Sequence, residues 1–279
     1  MNTAMETINP EIGQTVGVAG IQTNYHDLGT GSPVLLLHGS GPGVSAWANW
    51  RGVLPGLATR HRVVAPDLLG FGYTERPGDV TYDQPSWLQH VVGLLDALDI
   101  ERVAVVGNSF GGALALALAA THPQRVDRLV LMGSVGVHSV LTPGLDQVWG
   151  FQPSLANMRA LLDIFAYDRS RVDDDLAALR LKAATRSGVH EAFSRMFPEP
   201  RQQALDSLDV EESALRAITQ PALVLHGRDD VVIPVTNAYR LLELLDDAVL
   251  HVFGRCGHWV QIERRAAFLR LVGDFLDGW

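Results

Sequence analysis

Val103-Ala104-Val105-Val106 leads into Gly107-Asn108-Ser109-Phe110-Gly111, and the chain from Gly112 to Ala120 continues in small and apolar residues. A β-branched run that ends in Gly-x-Ser-x-Gly and passes at once into a small-residue helix describes a strand, a sharp turn and a helix. The serine sits on the turn. Short Gly/Ser patterns recur by chance, so the flanking pattern carries more weight than the pentapeptide. A side chain at Gly107 or Gly111 would crowd the turn. The turn lifts the Ser109 hydroxyl above the sheet edge, with a helix N-terminus behind it to stabilise developing negative charge. The plain alternative is a glycine-rich turn between a buried strand and a buried helix.

Working outward, Pro33–Leu37 reads as a buried strand ending in His38-Gly39-Ser40-Gly41-Pro42-Gly43. Arg62–Ala65 is another, followed by Pro66-Asp67-Leu68-Leu69-Gly70-Phe71-Gly72, and Leu129–Met132 a third. Gln14–Val18 and Ile21–His26 suggest a hairpin at a sheet edge. Trp47 to Leu57 suggests a helix broken at Pro55, and Ser86 to Leu98 has helical apolar spacing. Beyond residue 208 come a strand Ala222–Leu225, a helix Thr236–Leu245, a strand Val249–Phe253 and a helix Arg264–Leu276. Near-continuous apolar strands alternating with helices imply an α/β fold, with a mostly parallel sheet covered on both faces.

The alternation stops from about Val140 to Leu208, where no strand is legible. Helical stretches Leu155–Phe165, Asp173–Ala184 and His190–Met196 fill this segment. The expected organisation is a core of residues 1–139 and 209–279 carrying a helical cap of residues 140–208. Residues 1 to about 13 read as a loose arm. The insertion carries Trp149, Phe151, Phe165, Tyr167, Phe193, Met196 and Phe197; about half of them are expected to hold it together and the rest to line a pocket.

With 47% hydrophobic and 19% charged residues, the chain of 279 has enough apolar content for a sizeable core. A net charge of −9 with no Lys/Arg stripe argues against a nucleic-acid partner. The single cysteine, Cys256, excludes an internal disulfide and fits a reducing compartment. Residues 1–20 lack a basic start followed by an apolar core, and no apolar run is long enough to span a membrane. A cytoplasmic soluble protein is expected.

Ser109 is a poor nucleophile alone and needs a base, which in turn needs an orienting acid. Among ten histidines, His258 follows Cys256-Gly257 after the last expected strand, where strands deliver catalytic groups. It also gives the chain order Ser, Asp, His. His61, His122, His138 and His190 fall at helix ends or in the insertion, where solvated roles are expected. His26, His90, His226 and His251 read as structural. The acid comes from the loop after Ala222–Leu225, where Asp229 and Asp230 compete; the unused one is expected to cap its own turn. An oxyanion needs two backbone donors, assigned to Phe110 and to Ser40 in the glycine-rich loop. A phosphate loop is the competing reading of those glycines, but no Lys-Ser/Thr follows. No His/Cys/Asp/Glu group has metal-ligand spacing, so neither a metal nor another cofactor is expected.

Taken together, these stretches resemble the α/β-hydrolase superfamily over nearly the whole chain. The loop from His38 with Trp47-Ala48-Asn49-Trp50, the loop from Pro66 and the Ser109 elbow narrow the match. So do Leu131-Met132-Gly133-Ser134-Val135-Gly136 and Cys256-Gly257-His258-Trp259. They are similar to the meta-cleavage product hydrolases, which break carbon–carbon bonds in ring-fission products of aromatic compounds. Asp163-Ile164-Phe165-Ala166-Tyr167-Asp168 looks like members acting on 2-hydroxymuconate semialdehyde and alkyl ketone relatives.

The resemblance implies Asp230 as the acid, because the family aspartate stands four residues before a proline, here Pro234. It implies that Asn49, Asn108, Arg180 and Trp259 hold the carboxylate and dienol oxygens of a small-molecule dienoate. A guanidinium suits a carboxylate, although Asp173 to Asp175 could instead pair Arg180 within the cap, and Trp259 could be wall packing. Ser40 stands where several aryl-processing relatives carry glycine, which disfavours an aryl substrate. The resemblance also suggests a homo-oligomer. An esterase, lactonase or perhydrolase on the same three residues is the competing enzyme reading, and a ligand-binding receptor the non-catalytic one.

Overall fold

Strands that are apolar on both sides must be covered on both sides, and their backbone groups must find partners in neighbouring strands. The computed structural model describes residues 9–278, and these runs form one sheet there. Its strands are β1 (Gln14–Val18), β2 (Ile21–Leu28), β3 (Pro33–Leu37), β4 (Arg62–Pro66), β5 (Val103–Asn108), β6 (Val126–Met132), β7 (Ala222–Gly227) and β8 (Ala248–Phe253). The spatial order is β1-β2-β4-β3-β5-β6-β7-β8. The β1/β2 hairpin joins β4 antiparallel, and every other pairing is parallel.

Helices α1 (Ala46–Trp50) and α2 (Leu54–Leu57) follow β3, α3 (Gln84–Ala97) follows β4, and α4 (Phe110–Thr121) follows β5. Between β6 and β7 lie α5 (Pro143–Trp149), α6 (Leu155–Phe165), α7 (Asp174–Ala184), α8 (Val189–Met196), α9 (Arg201–Asp206) and α10 (Glu212–Arg216). The chain finishes with α11 (Val235–Leu244), β8, α12 (Val260–Glu263) and α13 (Arg265–Leu276). Alternation along β3 builds two cores. Leu35 and Leu37 face α3 and α4, while Val34 and Leu36 face Trp50 of α1 and Phe268 of α13.

Two expectations change here. The helix across residues 47–57 is broken as expected, but over residues 51–53 rather than at Pro55, which lies in the first turn of α2, where its missing N–H costs nothing. The arm is not loose over residues 9–13: the Gly13 N–H donates to Asn24 Oδ1 (2.9 Å), and Asn24 Nδ2 donates to the Glu11 carbonyl (3.0 Å). Residues 1–8 of that arm lie outside the described residues.

Most of the insertion's aromatic residues serve its packing. Trp149 stacks on Phe197 at 4.3 Å and 6°, and Phe197 meets Phe193 and Phe110 edge-on. This cluster fastens the segment between β6 and β7 onto α4.

Candidate active site

The parallel register aligns the strands at their C-terminal ends: Leu37 pairs with Gly107, Asn108 with Met132, and Met132 with Leu225. The loops after β3, β5, β6, β7 and β8 therefore leave one sheet edge together. β3 and β5 are neighbours whose following connections run to opposite sides, the crevice where open α/β sheets bind ligands.

Ser109 occupies that crevice with φ +54° and ψ −114°, a strained backbone for a residue with a side chain. The flanking glycines allow it. A Cβ at Gly107 would lie 2.5 Å from the Gly111 carbonyl oxygen, and one at Gly111 would lie 2.2 Å from that of Leu37. Phe110 begins α4, so its N–H has no carbonyl one turn back to bond. Its ring is buried against Trp87 and Phe71, leaving only its backbone for the crevice.

His258 Nδ1 lies 2.7 Å from Asp230 Oδ2. The other oxygen, Oδ1, accepts from the N–H groups of Val232 (2.8 Å) and Ile233 (3.0 Å). Asp230 therefore caps its own turn as well, and Asp229 does not take that part; it lies beside Arg228 instead. Burial opposes ionisation of Asp230, but facing His258 and the N–H of Ile233 outweigh it and hold the carboxyl below its ordinary value. An ionised Asp230 fixes the Nδ1–H tautomer of His258 and leaves Nε2 as the acceptor. His226 lies behind the pair, its Nε2 2.9 Å from the Ile233 carbonyl oxygen and 3.6 Å from Asp230 Oδ2. The backbone N–H of His258 donates to the Phe165 carbonyl (2.8 Å), so the end of α6 holds the loop that carries His258.

The loop after β3 is organised by His38. Its Nε2 accepts from the Leu68 N–H (3.0 Å) and its Nδ1 lies 2.8 Å from the Gly39 carbonyl oxygen, so the ring is neutral with hydrogen on Nδ1. Burial pushes its pKa down to about 4. Ser40 accepts from the Trp149 indole N–H (2.9 Å), a contact between this loop and α5.

A cavity of about 380 Å³ opens over these groups and is lined by Ser109, His258, Ser40, Asn49, Asn108, Arg180 and Trp259. Phe110 and Asp230 do not line it; one presents its backbone and the other stands behind His258. Asn108 Nδ2 donates to Asn49 Oδ1 (2.9 Å). Asn49 Nδ2, Asn108 Oδ1, Arg180 Nη1 and Gln261 Oε1 are buried with no hydrogen-bond partner among the described residues. Four such atoms around one cavity form a polar end suited to a ligand that both donates and accepts. Arg180 does not pair within the insertion, since Asp174 binds Arg159 and Asp173 caps α7. It reaches the Gly43 carbonyl and Glu11. Trp259 stacks on Phe165 (5.2 Å, 16°), which also stacks on His258, so wall packing and lining the cavity coexist at Trp259.

Sequence reading missed Arg51, Arg171 and Gln261 in the lining, and it misplaced the apolar wall. Leu145, Val148, Met158, Leu161, Leu162, Leu176, Val232 and Ile262 form that wall, and of the insertion's aromatic residues only Phe165 joins it. Aliphatic residues at helical spacing carry no sign of whether they face core or cavity. His61, expected to be solvated, is buried beside Asp277 (3.4 Å). His138, Asp206 and Asp209 converge on the surface outside this cavity, with His138 bonded to Asp209 at 3.2 Å.

Residues 32–265 match the family model of the alpha/beta hydrolase fold. A 2-hydroxy-6-oxo-2,4-heptadienoate hydrolase of Pseudomonas putida is 58% identical over 272 residues, covering 98% of this chain and 99% of the relative. A 2-hydroxymuconate semialdehyde hydrolase of a Pseudomonas species is 58% identical over 268 residues, 96% of this chain and 95% of the relative. The solved meta-cleavage product hydrolase of Pseudomonas fluorescens superposes with a TM-score of 0.96 at 53% identity, covering 96% of this chain and 99% of that one. A 2-hydroxy-6-oxo-6-phenylhexa-2,4-dienoate hydrolase of a Rhodococcus strain gives 0.90 at 33%, covering 96% and 99%.

Proposed function

Because the chain belongs to the α/β-hydrolase fold family, and within it to the meta-cleavage product hydrolases, we propose that Ser109, His258 and Asp230 are its catalytic triad. The protein is a carbon–carbon bond hydrolase. It acts on 2-hydroxy-6-oxo-hexa-2,4-dienoate-type ring-fission products, 2-hydroxymuconate semialdehyde or its 6-alkyl analogues. The products are 2-hydroxypenta-2,4-dienoate and a carboxylic acid.

The polar end of the cavity binds the substrate's carboxylate and 2-oxygen through Arg180, Asn49 and Asn108, with Trp259 beside them. The aliphatic wall takes the C6 substituent. The dienol first ketonises: its O–H proton leaves and C5 gains one, so that the fragment expelled later is a stabilised dienolate. Ser109 Oγ then attacks C6 while its proton passes to His258 Nε2, and Asp230 stabilises the imidazolium. The C6 oxyanion is held by the N–H groups of Phe110 and Ser40. Collapse breaks the C5–C6 bond, the electron pair leaves in the dienolate, and His258 supplies the proton. Water, deprotonated by His258, releases the acyl group from Ser109. The observation that carries this reading is a His258 held 2.7 Å from the buried Asp230 in a cavity that the strained Ser109 also lines.

The test is Ser109→Ala on a yellow dienoate. Turnover is expected to fall about a thousandfold or more while ketonisation of bound dienol still occurs. Near-native turnover would remove Ser109 as nucleophile. The segment 140–208 acts as the cap over this site. Among the described residues no helix is long and apolar enough to cross a membrane. The low-molecular-weight catabolic substrate and the lone buried Cys256 support a cytoplasmic location. An exposed β8 edge, with Val249 46% accessible, supports assembly into a homo-oligomer, which light scattering on the purified protein checks.

A further inference from the structure

Arg180 is a long side chain on α7 that must hold a planar guanidinium steady at the polar end of the cavity. Its Nη2 donates to the Gly43 carbonyl, and its Nη1 lies 3.6 Å from Glu11 Oε1, within ion-pair range but beyond a hydrogen bond. Glu11 is itself held by hydrogen bonds at its backbone and at one carboxylate oxygen. Its second oxygen accepts from Ser45 Oγ (2.8 Å), its N–H donates to Asn9 Oδ1 (3.1 Å), and its carbonyl accepts from Asn24 Nδ2 (3.0 Å). Both side chains are about nine-tenths buried, 11% accessible for Arg180 and 10% for Glu11. Arg51 and Arg186 face the same guanidinium with like charge, so Glu11 is the carboxylate that balances it.

We propose that Glu11, from the segment before β1, is a positioning residue: it holds the guanidinium of Arg180 so that its unbonded N–H groups face the dienoate carboxylate. This rests on Arg180 being the carboxylate site. A carboxylate anchored from both sides presents a fixed charge and removes rotamers from Arg180 before substrate arrives, which lowers the ordering cost of binding. The segment 9–13, outside both the sheet and the helices, thereby becomes part of the substrate site.

Steady-state kinetics on the dienoate with Glu11→Gln, Arg180→Gln and the double variant test this, with Glu11→Asp as a charge-keeping control and thermal melts checking each fold. Glu11→Gln is expected to raise KM about tenfold with kcat changed less than about threefold. The double variant should be no worse than Arg180→Gln alone, and Glu11→Asp should recover part of the loss. An unchanged KM in Glu11→Gln beside a raised KM in Arg180→Gln overturns the positioning role while sparing the carboxylate site. A lowered KM also overturns it, since Glu11 would then only neutralise Arg180 and compete with substrate. Additive losses in the double variant reduce Glu11 to a fold contact. If Arg180→Gln itself keeps its KM, the carboxylate site fails, and this proposal with it.

Discussion

Ser109 holds a backbone conformation that costs a residue with a side chain about 1–3 kcal/mol, and its neighbours leave it no alternative. Its N–H is taken by the Met132 carbonyl (2.9 Å), and its own carbonyl by the Gly112 N–H (2.9 Å). The same over-determination governs Asp230, whose Oδ1 is spoken for by two backbone N–H groups while Oδ2 faces His258. That asymmetry makes Asp230→Asn a clean experiment. The amide oxygen stays on the Val232 and Ile233 N–H groups, so the amide NH₂ faces His258 Nδ1. The ring must then carry its hydrogen on Nε2, the wrong nitrogen for a base toward Ser109. A fall in kcat on the order of ten-thousandfold is expected, with an unchanged melting temperature within a few degrees. Retention of even a tenth of the activity would mean that another group orients His258.

At the scale of elements, α4 can start directly under Ser109 only because Gly111 lets it touch β3. Gly111→Ala would set a methyl 2.2 Å from the Leu37 carbonyl oxygen, backbone against backbone, where neither strand nor helix can yield. Urea unfolding should show a loss of about 3 kcal/mol or more. Gly52→Ala, with nothing within 4 Å of its added methyl, should stay within about 0.5 kcal/mol and serves as the control. If the two variants unfolded alike, the elbow would be more plastic than its geometry implies. This contact also explains why the elbow is legible in sequence: the constraint is local, and only glycine meets it. The βα alternation is legible for the same reason, since strand and helix periods are short-range. The short helices α5, α9, α10 and α12 were not legible, because a helix of one or two turns leaves too few apolar positions to show a period. The aliphatic wall was hidden for a different reason. Leu161 and Leu162 follow each other on α6 and both reach the cavity, which depends on how α6 lies over the sheet.

For the whole molecule, long-range placement decides what no local pattern announces. Glu11 and Arg180 are far apart in the chain and meet only in the fold, and His258 and Asp230 were paired by chain order and resemblance rather than by spacing. The same burial that assembles these groups sets the response to acid. Burial pushes both His38 and His90 from an ordinary 6.5 down to about 4. Each stays neutral in the fold while the unfolded chain takes up a proton below about 6.5, so the stability they contribute is full at neutral pH. It is lost as pH falls from about 6.5 toward 4, on the order of 3 kcal/mol for each. Asp67 has the opposite sign. Burial raises its carboxyl to about 6 against hydrogen bonds from Tyr73, Ala46 and Asn24. The fold therefore binds that proton more tightly than the unfolded chain and regains about 3 kcal/mol on acidification over the same range. Asp209, also raised by burial, acts with Asp67, while His26, His61 and His226, all lowered chiefly by burial, act with His38 and His90, so the histidines outweigh the two aspartates. Asp230, held low, loses its contribution only at still lower pH, as its folded carboxyl protonates. The urea midpoint should therefore be highest near neutrality and fall between pH 6.5 and 4. His90→Gln, which can keep the hydrogen bond to Thr23 Oγ1 (2.8 Å), should shrink that fall. A midpoint that held steady or rose toward pH 4 would show that Asp67, not the buried histidines, governs the acid limb.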